Sequence, residues 1–503
     1  MRQISHELRC ICAIHSDEGQ TIISSPGNVD AITRKCLREA LHKNLVKVCP
    51  ADTWTGNCHL SNCPYPILIN NKHQIQLEDL NKVLVKAITD IVSRWWIDAT
   101  AKFPERMPLQ PMEEKLLRWL EAQNIDSMRP FTKFCGSWRP DFLIEKQTGL
   151  ANKEAEAFRI CEINARFCWN GYMMSALGQK ALLDMGICRN GIVGGTDPRK
   201  IIDGLQQLYN PEIPLYLLKG DEHGYDIHLY THYARNVLGQ HIRFITPDDL
   251  ILIPCNQSSH GYKLCCVADP QFLVDGAGVT LLRNEAGEIV EEIHQVGLEL
   301  HQREILGLSY EMLQQLSLRC FNDMRTLLLV HDKRMLGIVL EELDSLMARK
   351  VLLPTEASLL KKGICHTILP GSTKMARFIE MCRLQPSFKD DYILKPVRGG
   401  KGEGIIFGDN VTYESWMSRL EELTSPYLSP NGSTNVVQRN IRQAKYDVLL
   451  REHVGIQSLP LVGTYHSVHG EFLGIGVWRS SPGPICAISH GGAWMCSMIQ
   501  TGS

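Results

Sequence analysis

Two oxygen-bearing side chains alternate within the apolar segment from Phe158 to Phe167. Glu162 and Asn164 stand two residues apart, and in a β-strand this spacing directs both side chains to the same face. A carboxylate oxygen and an amide oxygen on one face can share a hard cation such as Mg²⁺. The same alternation is also typical of a strand with a solvent-exposed face, so the segment by itself leaves both interpretations open.

Glycines and basic side chains cluster in a second segment, residues 392–407. Its glycines, among them Gly400, Gly402 and Gly404, separate two apolar runs and predict a β-hairpin with a bare backbone tip. Backbone N–H groups at such a tip can approach a phosphate, and Lys395 on the preceding strand can neutralise its charge. The segment lacks the Gly-Lys-Ser/Thr of a Walker A loop, and a hairpin rather than a helix follows the first strand. A glycine-rich surface turn is the alternative interpretation.

A third segment, residues 435–439, predicts a short strand that ends in the polar residues Gln438 and Arg439. Such a strand can present backbone groups to the edge of an adenine. A lysine-bearing strand, a glycine hairpin and then this hinge strand resemble the nucleotide site of ATP-grasp enzymes.

The order of these segments along the chain indicates which group of ATP-grasp enzymes the chain resembles. The Glu-Ile-Asn motif at 162–164 lies upstream of the lysine loop, which is similar to the circularly permuted ATP-grasp ligases, the group containing eukaryotic glutathione synthetase and glutathionylspermidine synthase. The chain also resembles ATP-grasp enzymes of fungal natural-product clusters. Other elements that match in the same order are Trp138 to Leu143, Asp332-Lys333, Lys395 to Arg398, and Arg479 followed by Gly491-Gly492.

The resemblance implies a role for each matching position. It makes Glu162 and Asn164 ligands of Mg²⁺. The nucleotide contacts that it implies are Lys333, Lys395, Arg398, Gly400, Gly402, Gly404, Gln438 and Arg439. The charged residues that it places at the reacting groups are Arg139, Arg166 and Arg479. Arg139 and Arg479 could equally be ordinary surface ion-pair residues, which contribute little to stability.

Two departures from the glutathione synthetases bear on function. Their glycine loop begins with an acidic metal ligand, where this chain has Gly399, and Glu403 is our candidate to replace that ligand. Their Glu-Ile-Asn precedes small serine-rich residues, whereas Phe167 and Trp169 are bulky here. We therefore expect related chemistry on a different substrate.

The chemistry that these parts would perform is carboxylate activation. Transfer of a γ-phosphoryl group from ATP makes an acyl phosphate, which an amine then attacks. The expected cofactors are ATP and Mg²⁺, and the expected partners are a small-molecule carboxylate and an amine. The hairpin and the loop Ser489 to Gly492 are candidate lids, because an acyl phosphate must be kept from water. A small-molecule kinase and a non-catalytic nucleotide-binding scaffold are the alternatives.

The elements that must position these residues suggest an α/β architecture in three regions. We predict a mixed, largely helical region at 1–130, an α/β region carrying the metal pair at 131–320, and the nucleotide-binding region at 321–503. In the first, an apolar face recurs at helical spacing from Leu80 to Trp95. In the second, residues 215–218 and 244–245 predict strands. In the third, Asp332 can cap a helix.

Composition argues against several other classes of protein. The 503 residues carry a formal net charge of −2, which gives no overall basic field for nucleic acid. No apolar run approaches a membrane span, and the chain does not begin with a secretory signal, so we expect a cytoplasmic protein. The 18 cysteines lack paired zinc-ligand spacing, and we expect free thiols. The sequence leaves the oligomeric state open, a homodimer included.

Overall fold

Helices and β-strands alternate through most of this chain and form several sheets, as expected for an α/β protein. A computed structural model describes residues 8–15, 21–123, 130–148, 154–188, 191–256, 258, 260–269, 278–429, 432–488 and 491–501. Its helices are α1 (Ala31–Val48), α2 (Asn71–Ser93), α3 (Phe103–Arg106), α4 (Pro111–Glu121), α5 (Tyr172–Leu183), α6 (Pro198–Gln206), α7 (Tyr225–Asn236), α8 (Gln302–Leu306), α9 (Tyr310–Arg319), α10 (Arg334–Ala348), α11 (Pro354–Gly363), α12 (Thr373–Leu384) and α13 (Tyr413–Glu422).

The strands are mostly short. They are β1 (Arg9–Cys10), β2 (Cys12–His15), β3 (Thr21–Ser24), β4 (Ile67–Ile69), β5 (Ser137–Thr148), β6 (Glu154–Asn164), β7 (Ile192–Gly194), β8 (Leu215–Lys219), β9 (Ile242–Ile245), β10 (Leu250–Pro254), β11 (Tyr262–Val267), β12 (Leu281–Arg283), β13 (Ile289–Glu292), β14 (Val296–Glu299), β15 (Thr367–Ile368), β16 (Tyr392–Pro396), β17 (Ile406–Phe407), β18 (Asn435–Arg439), β19 (Lys445–Val448), β20 (Gln457–Pro460), β21 (Val462–Val468), β22 (Glu471–Ile475), β23 (Trp478–Ser480), β24 (Ala493–Met495) and β25 (Ser497–Gln500). Both strands expected at 215–218 and 244–245 are present.

A six-stranded sheet carries the predicted metal pair. Its order is β24-β23-β21-β5-β6, and β22 pairs with β21. In the antiparallel register of β5 and β6, Arg139 lies opposite Asn164 and Asp141 lies opposite Glu162. The register shifts after Asp141, and the side chain of Ile163 is buried between the two predicted ligands. The strand predicted around Glu162 is therefore confirmed.

A second sheet, β15-β18-β16-β17, carries the lysine and the glycine loop. The pairs Ile393–Phe407 and Leu394–Ile406 close β16 and β17 into the predicted hairpin. Strand β18, the predicted hinge strand, lies antiparallel on the other side of β16, with Val436 opposite Lys395.

The apolar face predicted from Leu80 to Trp95 belongs to α2, which begins after Asn70. The Asn70 side chain accepts the N–H of His73 and so caps the helix. Trp95 lies beyond the last helical residue, yet only 1% of it is exposed, so this face is part of the core.

The segment before α10 positions Lys333. Residues Thr326–Val330 form one turn of π-helix, a rare element that often marks functional sites. The residue at the helix N-cap is Lys333 rather than Asp332, the predicted cap. The Asp332 carboxylate still accepts the N–H of Arg334, 3.0 Å away, and it also binds the Arg334 guanidinium.

Strands from both sides of residue 320 share sheets. The six-stranded sheet joins β5 and β6 to β21–β24, and another sheet joins β4 and β7 to β25. The predicted boundaries at 130 and 320 stay predictions, but the regions do not fold around separate sheets.

The thiols of all 18 cysteines are free, as expected. Within the described ranges, no helix has the length and hydropathy that a membrane crossing requires.

Candidate active site

The centre of the site is the carboxylate of Glu162, at the end of β6. Its Oε2 lies 3.0 Å from the ammonium nitrogen of Lys395 on β16 and 3.6 Å from that of Lys333. Asn164 lies beside it, with its amide nitrogen 3.4 Å from Glu162 Oε1. Two sheets and the segment before α10 therefore deliver four predicted site residues to one place.

Burial and neighbouring charges shift the pKa values of the residues at this centre in opposite directions. Burial alone would raise the pKa of Glu162, but Lys395 and Lys333 outweigh it and hold that pKa well below its usual range. Burial also lowers the pKa of Lys333, helped by the nearby charge of Lys395. For Lys395 the carboxylate of Glu162 prevails, and its pKa is raised. Glu162 is thus an anion beside two ammonium groups.

This pair of side chains fits a Mg²⁺ ion. The carboxylate and amide supply hard oxygen ligands, and Mg²⁺ commonly takes only one or two carboxylates and fills its shell with water and phosphate. In the described part of the chain, no group of three His, Cys, Asp or Glu side chains comes close enough to form an all-protein metal site. The site therefore suits an ion that arrives with a phosphate ligand.

The glycine hairpin closes one wall of a cavity of about 1120 Å³ that includes Glu162 and Asn164. Gly402 has φ +77°, and a Cβ there would lie 2.2 Å from the side chain of Ile485. Lys401, at the tip, binds the carboxylate of Glu222 at 3.1 Å. The tip therefore packs on two segments remote in sequence, and a side chain at position 402 would be strained and would displace Ile485.

The other two predicted hairpin glycines differ in the space around them. Gly400 has open space where a Cβ would stand, whereas Gly404 has φ +73° and a Cβ there would lie 2.9 Å from the Pro396 ring. Gly399, Gly400 and Glu403 line the cavity. The Glu403 side chain is exposed, and its role as a metal ligand stays a prediction.

The predicted hinge strand contributes a buried amide. Gln438 donates from Nε2 to the backbone oxygen of Cys161 at 3.2 Å and to Thr367 Oγ1 at 3.0 Å. The Arg439 guanidinium pairs with Glu145 at 3.3 Å, while the residue also lines the cavity. Because these side chains bind protein groups, an adenine would meet the backbone of this strand rather than the Gln438 amide.

Arg139 and Arg479 converge on one buried carboxylate, Asp141. Arg139 Nε lies 2.9 Å from Asp141 Oδ1, and the Arg479 guanidinium binds Oδ2. Only 19% and 15% of the two arginine side chains are exposed, which does not match ordinary surface ion pairs. Nε of Arg479 is buried and has no hydrogen-bond partner among the described residues. Two guanidinium groups sharing one carboxylate leave positive charge for an anionic substrate.

Arg166 and Arg398 are linked through the backbone. Arg166 donates from Nη2 to the carbonyl oxygen of Arg398 at 2.7 Å, and burial lowers its pKa to about 10, with Arg398 adding to the effect. The Arg398 guanidinium turns away from the hairpin and binds Glu113 and Asp332. Its predicted contact with the nucleotide stays untested by this geometry.

Two histidines stand beside motif residues in the sequence, His331 before Asp332-Lys333 and His490 before Gly491-Gly492, and could take part in proton transfer. His331 accepts the N–H of Ala165 at 3.3 Å, and burial, with Arg166 and Lys333, holds its pKa well below its usual range. It is therefore neutral. His490 and Ser489, in the second candidate lid, lie outside the described residues.

The part of the cavity around Phe167 and Trp169 is lined by carboxylates that the sequence did not reveal. Burial raises the pKa of Asp226 to about 6, although the carboxylate accepts the N–H groups of Met173 and Met174. Burial likewise raises the pKa of Glu299. These acids, like Glu113, carry no local motif, because their partners lie far away in the chain.

Three comparisons relate this chain to known proteins. Residues 80–329 match the family model described as the AnkG N-terminal domain. The ATP-grasp enzyme ankG of Aspergillus thermomutatus is 37% identical over 430 residues, which cover 85% of this chain and 86% of that protein. The resemblance to ATP-grasp enzymes is thereby confirmed.

Among solved structures, a glutathione synthetase-like effector (GSS30) of Globodera pallida in its apo form superposes with a TM-score of 0.51. The match covers 94% of this chain and 98% of that one at 11% identity, so it bears on the fold alone. The glutathione synthetase-like fold expected from the motif order is confirmed.

Proposed function

The chain belongs to the ATP-grasp enzyme family, and from that premise we propose that it is an ATP-dependent ligase that joins a carboxylate to an amine. The reaction would pass through an acyl phosphate and release ADP and phosphate. We further propose a small metabolite, such as an amino acid, as substrate, in the biosynthesis of a secondary metabolite.

One observation carries this proposal. Glu162, Asn164 and Lys395 face one cavity that the glycine hairpin helps to wall, and buried Lys333 lies directly behind them, with the two ammonium nitrogens 3.0 and 3.6 Å from the carboxylate. This combination of fixed cations and oxygen ligands suits a triphosphate with its metal, because phosphoryl transfer depends mainly on positioning and charge stabilisation.

One group of side chains would bind the nucleotide phosphates, and another would bind the substrate carboxylate. Lys395 and Lys333 would bind phosphate oxygens and neutralise charge that develops on the transferred group. Mg²⁺, when bound to Glu162 and Asn164, would supply further charge neutralisation on the phosphates. Arg139 and Arg479 would hold the substrate carboxylate so that one of its oxygens attacks the γ-phosphorus and ADP departs.

The second step forms the amide. The amine nitrogen attacks the acyl carbon, the bond from this carbon to the phosphate oxygen breaks, and the amine loses a proton. The bulky Phe167 and Trp169 line the cavity beside Glu299 and would shape this region for a substrate other than a γ-glutamyl peptide.

A screen of amino acids, small carboxylic acids and amines tests the proposal. We expect ADP and phosphate to appear together only when an acid and an amine are both present, with an amide of the corresponding mass. ADP without phosphate, accompanied by a phosphorylated product, would indicate a kinase. Nucleotide binding without turnover on any pair would favour the scaffold.

A further inference from the structure

A buried ion pair connects the N-terminal region to the glycine hairpin. Arg398, directly before the hairpin glycines, donates from Nη1 and Nη2 to the two carboxylate oxygens of Glu113 on α4, at 3.0 and 2.7 Å. Only 1% of Glu113 and 9% of Arg398 are exposed. Such two-pronged, desolvated contacts fix the orientation of both partners and are costly to break from one side.

The carboxylate of Glu113 is shared with two further segments. Oε2 accepts the N–H of Gln110 at the start of α4, 3.0 Å away, and Oε1 accepts the Gln302 side-chain amide of α8. Gln110, Gln302 and Arg398 all line the cavity. Glu113 therefore lies behind the cavity lining and holds three lining residues, from three different segments, in fixed positions.

The backbone beside Arg398 binds Lys333, a proposed phosphate contact, and Arg166, which the resemblance places at the reacting groups. The carbonyl oxygen of Gly399 accepts from Lys333 Nζ at 2.5 Å, and that of Val397 accepts the Lys333 N–H at 3.0 Å. The carbonyl oxygen of Arg398 itself accepts from Arg166. A rotation of the 397–399 backbone would therefore move the ammonium group of Lys333 and the guanidinium of Arg166 together.

A second carboxylate cannot simply take over from Glu113. Asp332 Oδ2 accepts Arg398 Nε at 3.2 Å, but both of its oxygens also bind Arg334. Without the Glu113 charge, Arg398 would have to compete for Asp332, one residue before Lys333.

From these contacts we propose that Glu113 is a positioning residue for the nucleotide site, acting through Arg398 to fix the hairpin base and Lys333. The inference deepens the proposed function and rests on it, since the hairpin and Lys333 are taken to bind ATP. It assigns a task to the region before residue 130, where the sequence showed no element of the ATP-grasp resemblance.

Substitution of Glu113 by Gln removes the charge while keeping the size of the side chain. We expect the dissociation constant of Mg²⁺–ATP to rise by about tenfold to a hundredfold, because small displacements of positioned groups have effects of this order. KM for ATP should rise more than kcat falls. Glu113→Asp retains the charge and should recover part of the affinity; it also serves if the Gln variant does not fold.

Glu291 provides the matched control. It is fully buried and, like Glu113, binds an arginine (Arg243, 2.6 Å), a side-chain donor (Tyr216, 2.9 Å) and a backbone N–H, but none of these partners lines the cavity, whereas those of Glu113 do. Glu291→Gln should lower the melting temperature as Glu113→Gln does, yet leave ATP affinity within about twofold of the parent.

Calorimetric titration of Mg²⁺–ATP into the full-length parent and its Glu113→Gln, Glu113→Asp and Glu291→Gln variants, with a melting curve for each, separates the outcomes. Equal ATP affinity in the two Gln variants would overturn the positioning role of Glu113. If the parent chain itself does not bind Mg²⁺–ATP, the proposed function fails first.

Discussion

At the scale of single residues, the site depends on an anion held between two ammonium groups. Glu162 is half-buried, with 20% of its side chain exposed, and it stays ionised because Lys395 and Lys333 outweigh the cost of this burial. A metal-bound triphosphate would offer the two lysines other anions and the carboxylate a cation. The ion pairs between Glu162 and the two lysines therefore keep all three side chains charged until a triphosphate and its metal replace these contacts.

Replacing Glu162 by Gln should reduce kcat by about a hundredfold or more, in line with the loss of one charged group at a phosphoryl-transfer centre. The reason is that one Mg²⁺ ligand becomes neutral and the two ammonium groups repel each other. Steady-state assays over a Mg²⁺ series should also show a higher Mg²⁺ requirement.

Glu292→Gln is the control for this change. Glu292 is buried and, like Glu162, pairs with a lysine, Lys263 at 2.8 Å, but neither residue lines the cavity. Turnover and Mg²⁺ requirement like those of the parent are expected for it. Parental turnover in Glu162→Gln would show that the metal assignment is wrong.

Asp226 makes a separate prediction about pH. Its pKa is raised from 3.8 to about 6, so the neutral form is favoured by the fold. Its contribution to stability is fully present below pH 3.8 and is lost as pH rises through about 6. The free energy of unfolding should fall by up to about 3 kcal/mol between pH 4 and 7, and Glu299 should act in the same direction.

Denaturant unfolding at a series of pH values checks this dependence. Asp226→Asn should make the slope shallower, whereas Asp221→Asn, which removes an exposed carboxyl of lowered pKa, should leave it unchanged in this range. Identical slopes in all three proteins would contradict the assignment of this titration to Asp226.

At the scale of elements, the glycine hairpin illustrates what a sequence can and cannot predict. The glycines between two apolar runs predicted the β16–β17 hairpin, because this pattern is local. The residues that the hairpin tip contacts, Glu222 and Ile485, lie far away in the chain, so the glycine pattern could not predict them. Likewise, the spacing of Glu162 and Asn164 predicted their shared face but could not predict Asp141 opposite them.

The close packing of Gly402 against Ile485 predicts that Gly402→Ala weakens ATP binding. Alanine at φ +77° costs roughly 1–2 kcal/mol, or a factor of about 5–30, and its Cβ would also displace Ile485. Gly400→Ala should have a smaller effect, since open space surrounds that position. Titration with Mg²⁺–ATP measures both.

Gly287→Ala controls for backbone strain alone. Gly287 has φ +80° with nothing near its Cβ position, in a turn outside the cavity lining. It should lose stability without losing ATP affinity. Tighter or unchanged binding in Gly402→Ala would contradict the packing of the hairpin on Ile485.

At the scale of the whole molecule, residues distant in sequence build one site. Glu113, Glu162, Lys333, Lys395 and Arg479 come from both sides of every predicted boundary and line or support the same cavity. The sequence predicted this convergence for the motif-bearing residues through their order. It could not predict Glu113, because a buried carboxylate in an amphipathic helix is recognisable only once its partner Arg398 is known.

The shared sheets predict that the chain cannot be divided near residue 320. Fragments 1–320 and 321–503, produced separately, should not bind Mg²⁺–ATP, because β5 and β6 would lose β21 from their sheet. By contrast, a protease site inserted in the exposed turn at 284–287 should be cleaved without loss of nucleotide binding in the nicked protein. ATP binding by either fragment alone would contradict an undivided site.

The central claim is that this cavity activates a carboxylate as an acyl phosphate. It is tested most directly by supplying the acid substrate with ¹⁸O in its carboxylate and analysing the released phosphate by mass spectrometry. We predict that one ¹⁸O atom passes to phosphate for each amide formed, and that both products form at least about a hundredfold more slowly in Glu162→Gln. Amide formation with unlabelled phosphate would contradict the account.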